Sequence, residues 1–433
     1  MRLLGLLILG SFVTSIGTGM TAFGLAIMAY SSTGSASAVA AVQMCALAPL
    51  ILLAPVAGAL ADRHDRRLVM VVGDGGSVLG LIIILVALRS PAPSLTMVLV
   101  GVALSSIMAS LTEPALRASV SELVEPEQYV RASGLLQASS AAKLLVSPAL
   151  AGLLLPVLGL PGIIIIDAST CAVTVACSLA VRRALPPRAA SEPVGTRERL
   201  LGGWQQIHSE PRLRSLVIIM TALTMTIGIV QVLFKPSLLP WMSAQSVGLV
   251  ETLCAMGLLV GAGLATATKA RPVTLLASGT AITGAAMIGL AARPWIWSVA
   301  TAGIIAFASL ALCQAGADAL VRGRLDPQSE AAAWGTISLI TQSGYLAAYA
   351  TAAPLADYVF SPLVSRGGIG TALVGSGQGR GAALTIAVAG ALTIALAVIL
   401  RAKRRSLSPE ASPVLSPNPH HSLKETRSCS NAS

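Results

Sequence analysis

A short stretch of charge interrupts an otherwise apolar chain between residues 58 and 70, GALADRHDRRLVM. It places five charged side chains and one histidine in six consecutive positions, Asp62 to Arg67. Arginines interleaved with acids can form ion pairs that break and reform between two arrangements of a protein. A topology anchor needs positive charge alone, so the interleaving favours a charge latch. The residues expected in this latch are Asp62, Arg63, Asp65, Arg66 and Arg67, with Asp74 and Glu113 as further acidic partners.

Three other charged residues lie inside apolar segments. They are Lys143 in QASSAAKLLVSPALAG, Asp167 in GIIIIDAST and Glu251 in LVETLCAMG. An isolated charge within a membrane costs several kcal/mol, so such a residue is paired, neutral or functional. Each of the three could contact a substrate or carry a coupling proton. A structural partner or a position near the membrane interface is the alternative.

The composition identifies the elements that must position these residues. The chain has 433 residues, of which 55% are hydrophobic and 11% charged, and its mean hydropathy is +0.80. Soluble domains carry about a quarter charged residues. The apolar stretches approach the roughly 20 residues that cross a bilayer as a helix. We therefore predict an all-α integral membrane protein, with the N-terminal apolar run kept as its first helix because no clean cleavage site follows.

Polar, proline and glycine residues divide the chain into twelve predicted spans. They are 3–30, 38–60, 68–88, 95–112, 132–155, 161–181, 215–238, 243–266, 273–291, 294–318, 331–354 and 380–400. With this division 23 of the 29 lysines and arginines fall on the side that holds the N-terminus, and five fall on the other. By the positive-inside rule both termini are expected in the cytoplasm.

The longest polar connection separates two groups of six spans. We predict an N-terminal bundle at 1–181, a cytoplasmic central loop at 182–214, a C-terminal bundle at 215–400 and a disordered Ser/Pro-rich tail at 401–433. A weak repeat relates the bundles, because Glu125-Pro126 and Ala132 are matched by Asp326-Pro327 and Ala333 at an offset of 201 residues. Parallel repeats of this kind occur in transporters built from two similar halves.

Several other functions lack the residues they require. The cysteines have no metal-ligand spacing, and no Walker A sequence or hydrolase motif is present. The net charge of +11 lies mostly in loops on one side, so it predicts no nucleic-acid partner. An integral-membrane enzyme would need several acids or histidines at one depth, and the chain has four histidines in all. A membrane receptor remains an alternative that does not need a latch.

The charged stretch resembles the signature loop of the major facilitator superfamily, Gly-x-Leu-Ala-Asp-Arg-x-Gly-Arg-Arg/Lys. The matching residues are Gly58, Leu60, Ala61, Asp62, Arg63, Arg66 and Arg67. Asp65 replaces the glycine of the general motif, and this version looks like the macrolide-efflux and siderophore-exporter branch. The stretches EPALRASVSELVEPEQYVRASGLLQ and PLADYVFSPLV are similar to that branch too. The resemblance covers residues 1 to 400 and implies two pseudo-symmetric six-helix halves.

The fifth span partly resembles the glycine-rich antiporter motif of drug exporters. Gly134, Pro148 and Gly152 match it, while Lys143 replaces a glycine. Small residues around a proline suit a bent helix that packs tightly. At Gly58 the same argument predicts a close approach of two helices. The lysine is a departure that puts proton antiport through this helix in doubt.

The resemblance implies a secondary transporter in a bacterial plasma membrane that exports a small amphipathic molecule by proton antiport. No cofactor is expected, the energy source being a proton gradient, and the partners expected are a small-molecule substrate and membrane lipids. The protein is expected to act as a monomer. A secreted metabolite such as a siderophore or peptide is favoured over macrolide or multidrug efflux, because an aromatic content of 3% offers little stacking surface for flat drugs.

Overall fold

The computed structural model describes residues 2–90, 94–125, 128–184, 196–325, 330–367 and 369–403. These residues are helical, and no strand occurs among them. The helices of the first half are α1 (Arg2–Thr33), α2 (Ala36–Leu52), α3 (Ala54–Arg63), α4 (Arg66–Arg89), α5 (Leu95–Ala109), α6 (Thr112–Leu123), α7 (Tyr129–Leu145) and α8 (Ser147–Ala184). The later helices are α9 (Thr196–Ser209), α10 (Pro211–Leu238), α11 (Ala244–Ala267), α12 (Pro272–Ala292), α13 (Ile296–Arg322), α14 (Glu330–Pro354), α15 (Ser361–Ser365), α16 (Ile369–Val374) and α17 (Arg380–Ala402), and a π-helical turn, Leu355–Phe360, joins α14 to α15.

Within the described residues, nine helices are long and apolar enough to cross a membrane, or ten if the bent pair of α2 and α3 is one span. Two of the predicted spans are joined in α8, which contains a left-handed glycine, Gly159, at φ 66°. The contacts with α1 show that the chain reverses there. Ser139 and Ser147 bond to Ser11 and Ile16, in parallel order.

The part of α8 after Gly159 meets α1 in the opposite order. A Cβ placed on Gly10 would lie 3.2 Å from Thr174 Cα, and one placed on Gly24 would lie 2.8 Å from Leu160 Cδ1. The fifth span is therefore α7 with the first part of α8, and the sixth is the remainder. With α14, which has 25 residues, these helices give the twelve-span architecture of the prediction.

Local sequence explains where several helices begin. Gly34 at φ 67° ends α1, and Ser35 then caps α2 by accepting from the amides of Ser37 and Ala38 at 3.1 and 3.4 Å. Asp65 caps α4, and Pro211 and Pro272 occupy first-turn positions that need no amide hydrogen. The predicted boundaries differ from these by a few residues.

Three predicted loops contain further helices: α6 follows the fourth span, α9 lies in the central connection, and α15 and α16 lie between the eleventh and twelfth spans. The central connection includes α9, whereas its residues 185–195 lie outside the described part of the chain. The predicted tail also lies outside it from residue 404 onward. The fourth span extends beyond the predicted residue 112, because α6 continues to Leu123 after a break at Ser110–Leu111.

We name the two ends of the bundle by their residues. The charged end holds the loop Asp62–Arg67, the end of α8 at Arg182 and the end of α13 at Arg322. The Asp357 end holds Gly34, Gly159 and the π-helical turn. The largest cluster of buried apolar side chains crosses from one half to the other, joining Phe23 and Ile27 of the first half to Val232 and Leu238 of the second.

Candidate functional site

The predicted latch at the charged end is organised around an acid that sequence reasoning missed. Arg66 Nη1 and Arg67 Nη2 lie 3.5 and 3.3 Å from the two carboxylate oxygens of Glu122, near the end of α6. Asp65 accepts a hydrogen bond from Arg182 Nε at 2.8 Å. These partners all belong to the first half, so the pairs fasten helices within that half.

The two further acids proposed for the latch have other partners. Asp74 is buried and accepts from Thr112 Oγ1 at 2.8 Å. It lies two turns along α4 from Arg66 and Arg67, too far for their side chains to reach. Glu113 pairs with Arg117 at 2.7 Å, one turn away on α6 and largely exposed. The expected pairing of the arginines with Asp74 and Glu113 is therefore wrong for this arrangement.

The remaining latch residues lie at the C-terminal end of α3. Asp62 is half-buried, and Arg63 and His64 are exposed. A Cβ on Gly58 would meet nothing within 4 Å. The close helix approach predicted at Gly58 does not occur among the described residues, because none of them packs against α3 at that position.

Two of the charged residues in apolar segments lie on either side of α1, halfway along it. A Cβ on Gly17 would lie 2.9 Å from Asp167 Oδ1, and one on Gly19 would lie 3.0 Å from Lys143 Cγ. Asp167 is buried and accepts from Thr18 Oγ1 at 3.3 Å. Lys143 is exposed and has no ion pair within the described residues. Glycines on α1 bring both side chains to the same depth.

Glu251, the third of these charged residues, is bound by a lysine near the end of α10. Lys235 Nζ lies 2.8 Å from both carboxylate oxygens of Glu251. The same ammonium lies 5.0 Å from the ring centroid of Phe23, on the other half of the molecule. The two charged side chains are only 7% and 17% exposed, so the pair lies in the interior, near the Asp357 end.

The fifth-span motif divides into a packed part and an open part. A Cβ on Gly152 would lie 3.1 Å from the carbonyl oxygen of Ala244, and one on Gly248 would overlap the carbonyl oxygen of Pro148. The amide of Ala149 donates to Thr252 Oγ1 at 3.2 Å. Thus α8 and α11 meet backbone to backbone, as small residues permit in membranes.

Gly134, the remaining residue of that motif, lies outside this contact. It is exposed, and a Cβ there would meet nothing within 4 Å. It belongs to α7, toward the charged end, where Arg131, Gln137 and Ser140 are exposed too. The glycines of the motif therefore do not act as one continuous packing face.

Asp357 makes a direct polar contact between the halves, and the sequence analysis did not single it out. Its carboxylate accepts from Ser35 Oγ at 2.7 Å and from the amides of Ala36 and Ser37 at 3.0 and 2.8 Å. The available signal was the PLADYVF stretch, which carries an acid in an apolar segment. Ser35 to Ser37 begin α2, in the other half.

The second half also contains a small, mainly apolar pocket between three of its helices. It is lined by Thr226, Ile227, Val230, Gln231, Thr283, Met287, Ala306, Phe307 and Leu310. Gln231 Oε1 accepts from Tyr349 OH at 2.7 Å. No group of three His, Cys, Asp or Glu residues arranged to hold a metal ion occurs among the residues whose positions are described.

Comparison of the chain with known families gives one match that covers most of its length. A sequence model described as Major Facilitator Superfamily matches residues 7–349. Macrolide efflux protein A of Streptococcus pyogenes is 35% identical over 140 residues, which are 31% of this chain and 33% of that protein. Lysophospholipid transporter LplT of Yersinia pestis (strain Pestoides F) is 29% identical over 255 residues, which are 57% and 59% of the two chains.

Solved structures share the fold at low sequence identity. A bacterial homologue of the human lysosomal transporter Spinster, in an inward-facing and unoccupied conformation, has a TM-score of 0.69 at 15% identity and covers 95% of this chain and 98% of its own. A bacterial homologue of the iron transporter ferroportin, in an inward-facing state, has a TM-score of 0.70 at 15% identity, with 92% and 98% covered.

Proposed function

Since the chain belongs to the major facilitator superfamily, a family of transporters, we propose that it exports a small amphipathic molecule by alternating access, driven by proton antiport. We place it in a bacterial plasma membrane, with both termini and the charged end in the cytoplasm. The family and the fold are those of transporters, not enzymes.

The observation that carries this proposal is the unequal packing of the two halves. Contacts from Gly152 to Ala244, from Ala149 to Thr252 and from Asp357 to Ser35 join them at the Asp357 end. At the charged end, the ion pairs of Asp65, Arg66 and Arg67 stay within the first half. Alternating access requires halves that can meet at one end while they separate at the other. Contacts between the halves at the Asp357 end, with ion pairs confined to one half at the charged end, fit that requirement.

We assign substrate binding to Lys143 and transfer of the coupling proton to Asp167. A lysine at mid-membrane depth is tolerated where it faces a water-filled cavity, and Lys143 is exposed beside Gly19. Asp167 is buried at the same depth and held by Thr18. Glu251 is a weaker candidate for either role, because its carboxylate is already paired with the Lys235 ammonium at 2.8 Å.

The amphipathic character of the substrate has support from two relatives. Their names specify macrolides and lysophospholipids, two classes that each combine a large apolar part with polar groups. A secreted metabolite such as a siderophore or peptide remains our first candidate for this chain. Macrolide or multidrug efflux is the second, favoured by the 35% identity over 140 residues.

A metabolite comparison tests the proposal directly. Cells and medium of the native bacterium would be analysed by mass spectrometry beside a deletion strain, Asp62→Asn and Asp167→Asn strains, and a Glu113→Gln control. We expect one compound to be missing from the medium and to accumulate inside the cells of the deletion, Asp62→Asn and Asp167→Asn strains. The Glu113→Gln strain should export it normally. Unchanged metabolites with increased macrolide sensitivity would identify drug efflux instead. If neither changed in the deletion strain, export itself would be wrong.

A further inference from the structure

We propose that Asp357 is the gating residue of the Asp357 end, and that it alternates with Asp62 in holding one pair of helices together. The pair consists of the span α2–α3 from the first half and α14 from the second, and α2 packs against α14. This inference rests on the alternating access proposed above and names the residues that set its balance.

Both carboxylate oxygens of Asp357 are bound by the other half. One oxygen accepts from Ser35 Oγ and the Ser37 amide at 2.7 and 2.8 Å, and the other accepts from the Ala36 amide at 3.0 Å. The first amides of a helix have no partner within the helix, and the helix dipole makes that end positive. A carboxylate is therefore bound there by charge as well as by hydrogen bonds.

The position of Asp357 in its own half makes this contact depend on the arrangement of the halves. It lies in the π-helical turn Leu355–Phe360, which continues α14 into α15 without a break. The three hydrogen bonds to its carboxylate come from the start of α2, in the opposite half, so the contact stabilises the arrangement in which the halves meet at this end.

Asp62 has the corresponding position at the other end of the same pair. It lies near the C-terminal end of α3, and α14 begins at the charged end with Glu330. The two spans run in opposite directions, so Asp62 lies on α3 at the end of the pair where α14 begins, and Asp357 lies at the end where α2 begins. Closing the charged end would bring Asp62 to the start of α14, and opening the Asp357 end would release Asp357 from α2.

Distances between spin labels test this inference. Labels at Ser31→Cys and Ser365→Cys, both exposed and one on each half, would be introduced into a chain without its native cysteines and measured in lipid nanodiscs. We expect Asp357→Asn to raise the ratio of long to short distances about tenfold, because charge-assisted contacts are lost. Asp62→Asn should lower that ratio, and the double variant should return toward the wild-type value.

Two additional measurements keep the result decisive. Ser35→Ala removes one of the three donors and should shift the ratio in the same direction by a smaller factor, which covers the case in which Asp357→Asn folds poorly. A purely structural Asp357 would lower the melting temperature and leave the distance ratio unchanged, and that result would overturn the inference. A wild-type protein with one distance population at every pH tested, with or without lysophosphatidylglycerol as a probe, would instead contradict alternating access.

Discussion

The charged end and the Asp357 end use ionic contacts in opposite ways. At the charged end Arg66 and Arg67 bind Glu122 within the first half. At the Asp357 end Asp357 binds the start of α2 in the other half. A contact within one half is the same in both arrangements of a two-state transporter and cannot favour either. Whether an ionic contact affects gating therefore depends on whether its two partners belong to different halves. The number of charged residues at that end matters less.

The largest expected effect comes from breaking the buried ion pair at the Asp357 end. Glu251→Ala leaves the Lys235 ammonium without its acid in an apolar interior, which costs about 3–5 kcal/mol of unfolding free energy. Thermal and denaturant unfolding of the purified protein would measure it. The matched control, Lys235→Met with Glu251→Leu, removes both charges and should cost much less. Equal losses in both variants would mean that packing, not charge, stabilises this end.

A smaller effect, confined to the balance between arrangements, is expected from two matched glycines. Gly248→Ala forces a Cβ against the Pro148 carbonyl, and overpacking of this kind costs about 1–3 kcal/mol where α8 and α11 meet. The label distance between positions 31 and 365 should lengthen. Gly58→Ala meets nothing within 4 Å and should leave that distance unchanged. A shift with Gly58→Ala as large as with Gly248→Ala would remove the difference between the two ends.

The smallest expected effect sharpens the assignment of partners at the charged end. Glu113 and Arg117 are 66% and 60% exposed, and exposed pairs of this kind contribute about 0.3–0.5 kcal/mol. Glu113→Gln should therefore change the unfolding free energy by no more than that and leave transport intact. Loss of transport in this variant, at normal stability, would show that Glu113 belongs to the latch after all.

Much of the architecture could be predicted from the chain alone. Apolar stretches with their proline and glycine breaks predict the spans, and the signature around Asp62 indicates the family. Boundaries were less predictable, because α6 continues past the predicted fourth span and α9 lies in a predicted loop. Asp65 illustrates the limit at the site. Its cluster was evident in the sequence, but its ion pair with Arg182 spans 117 residues and depends on how α4 and α8 pack.

What the sequence determined by itself is therefore local: which segments cross the membrane, where glycine and proline bend them, and which charged residues interrupt them. These properties follow from the need of each helix to satisfy its own backbone in lipid. Only the tertiary structure decided that Lys235 binds Glu251 under Phe23 and that Asp357 binds Ser35, 322 residues away. Such partners are chosen by the packing of separate helices, and no spacing along one segment encodes that packing.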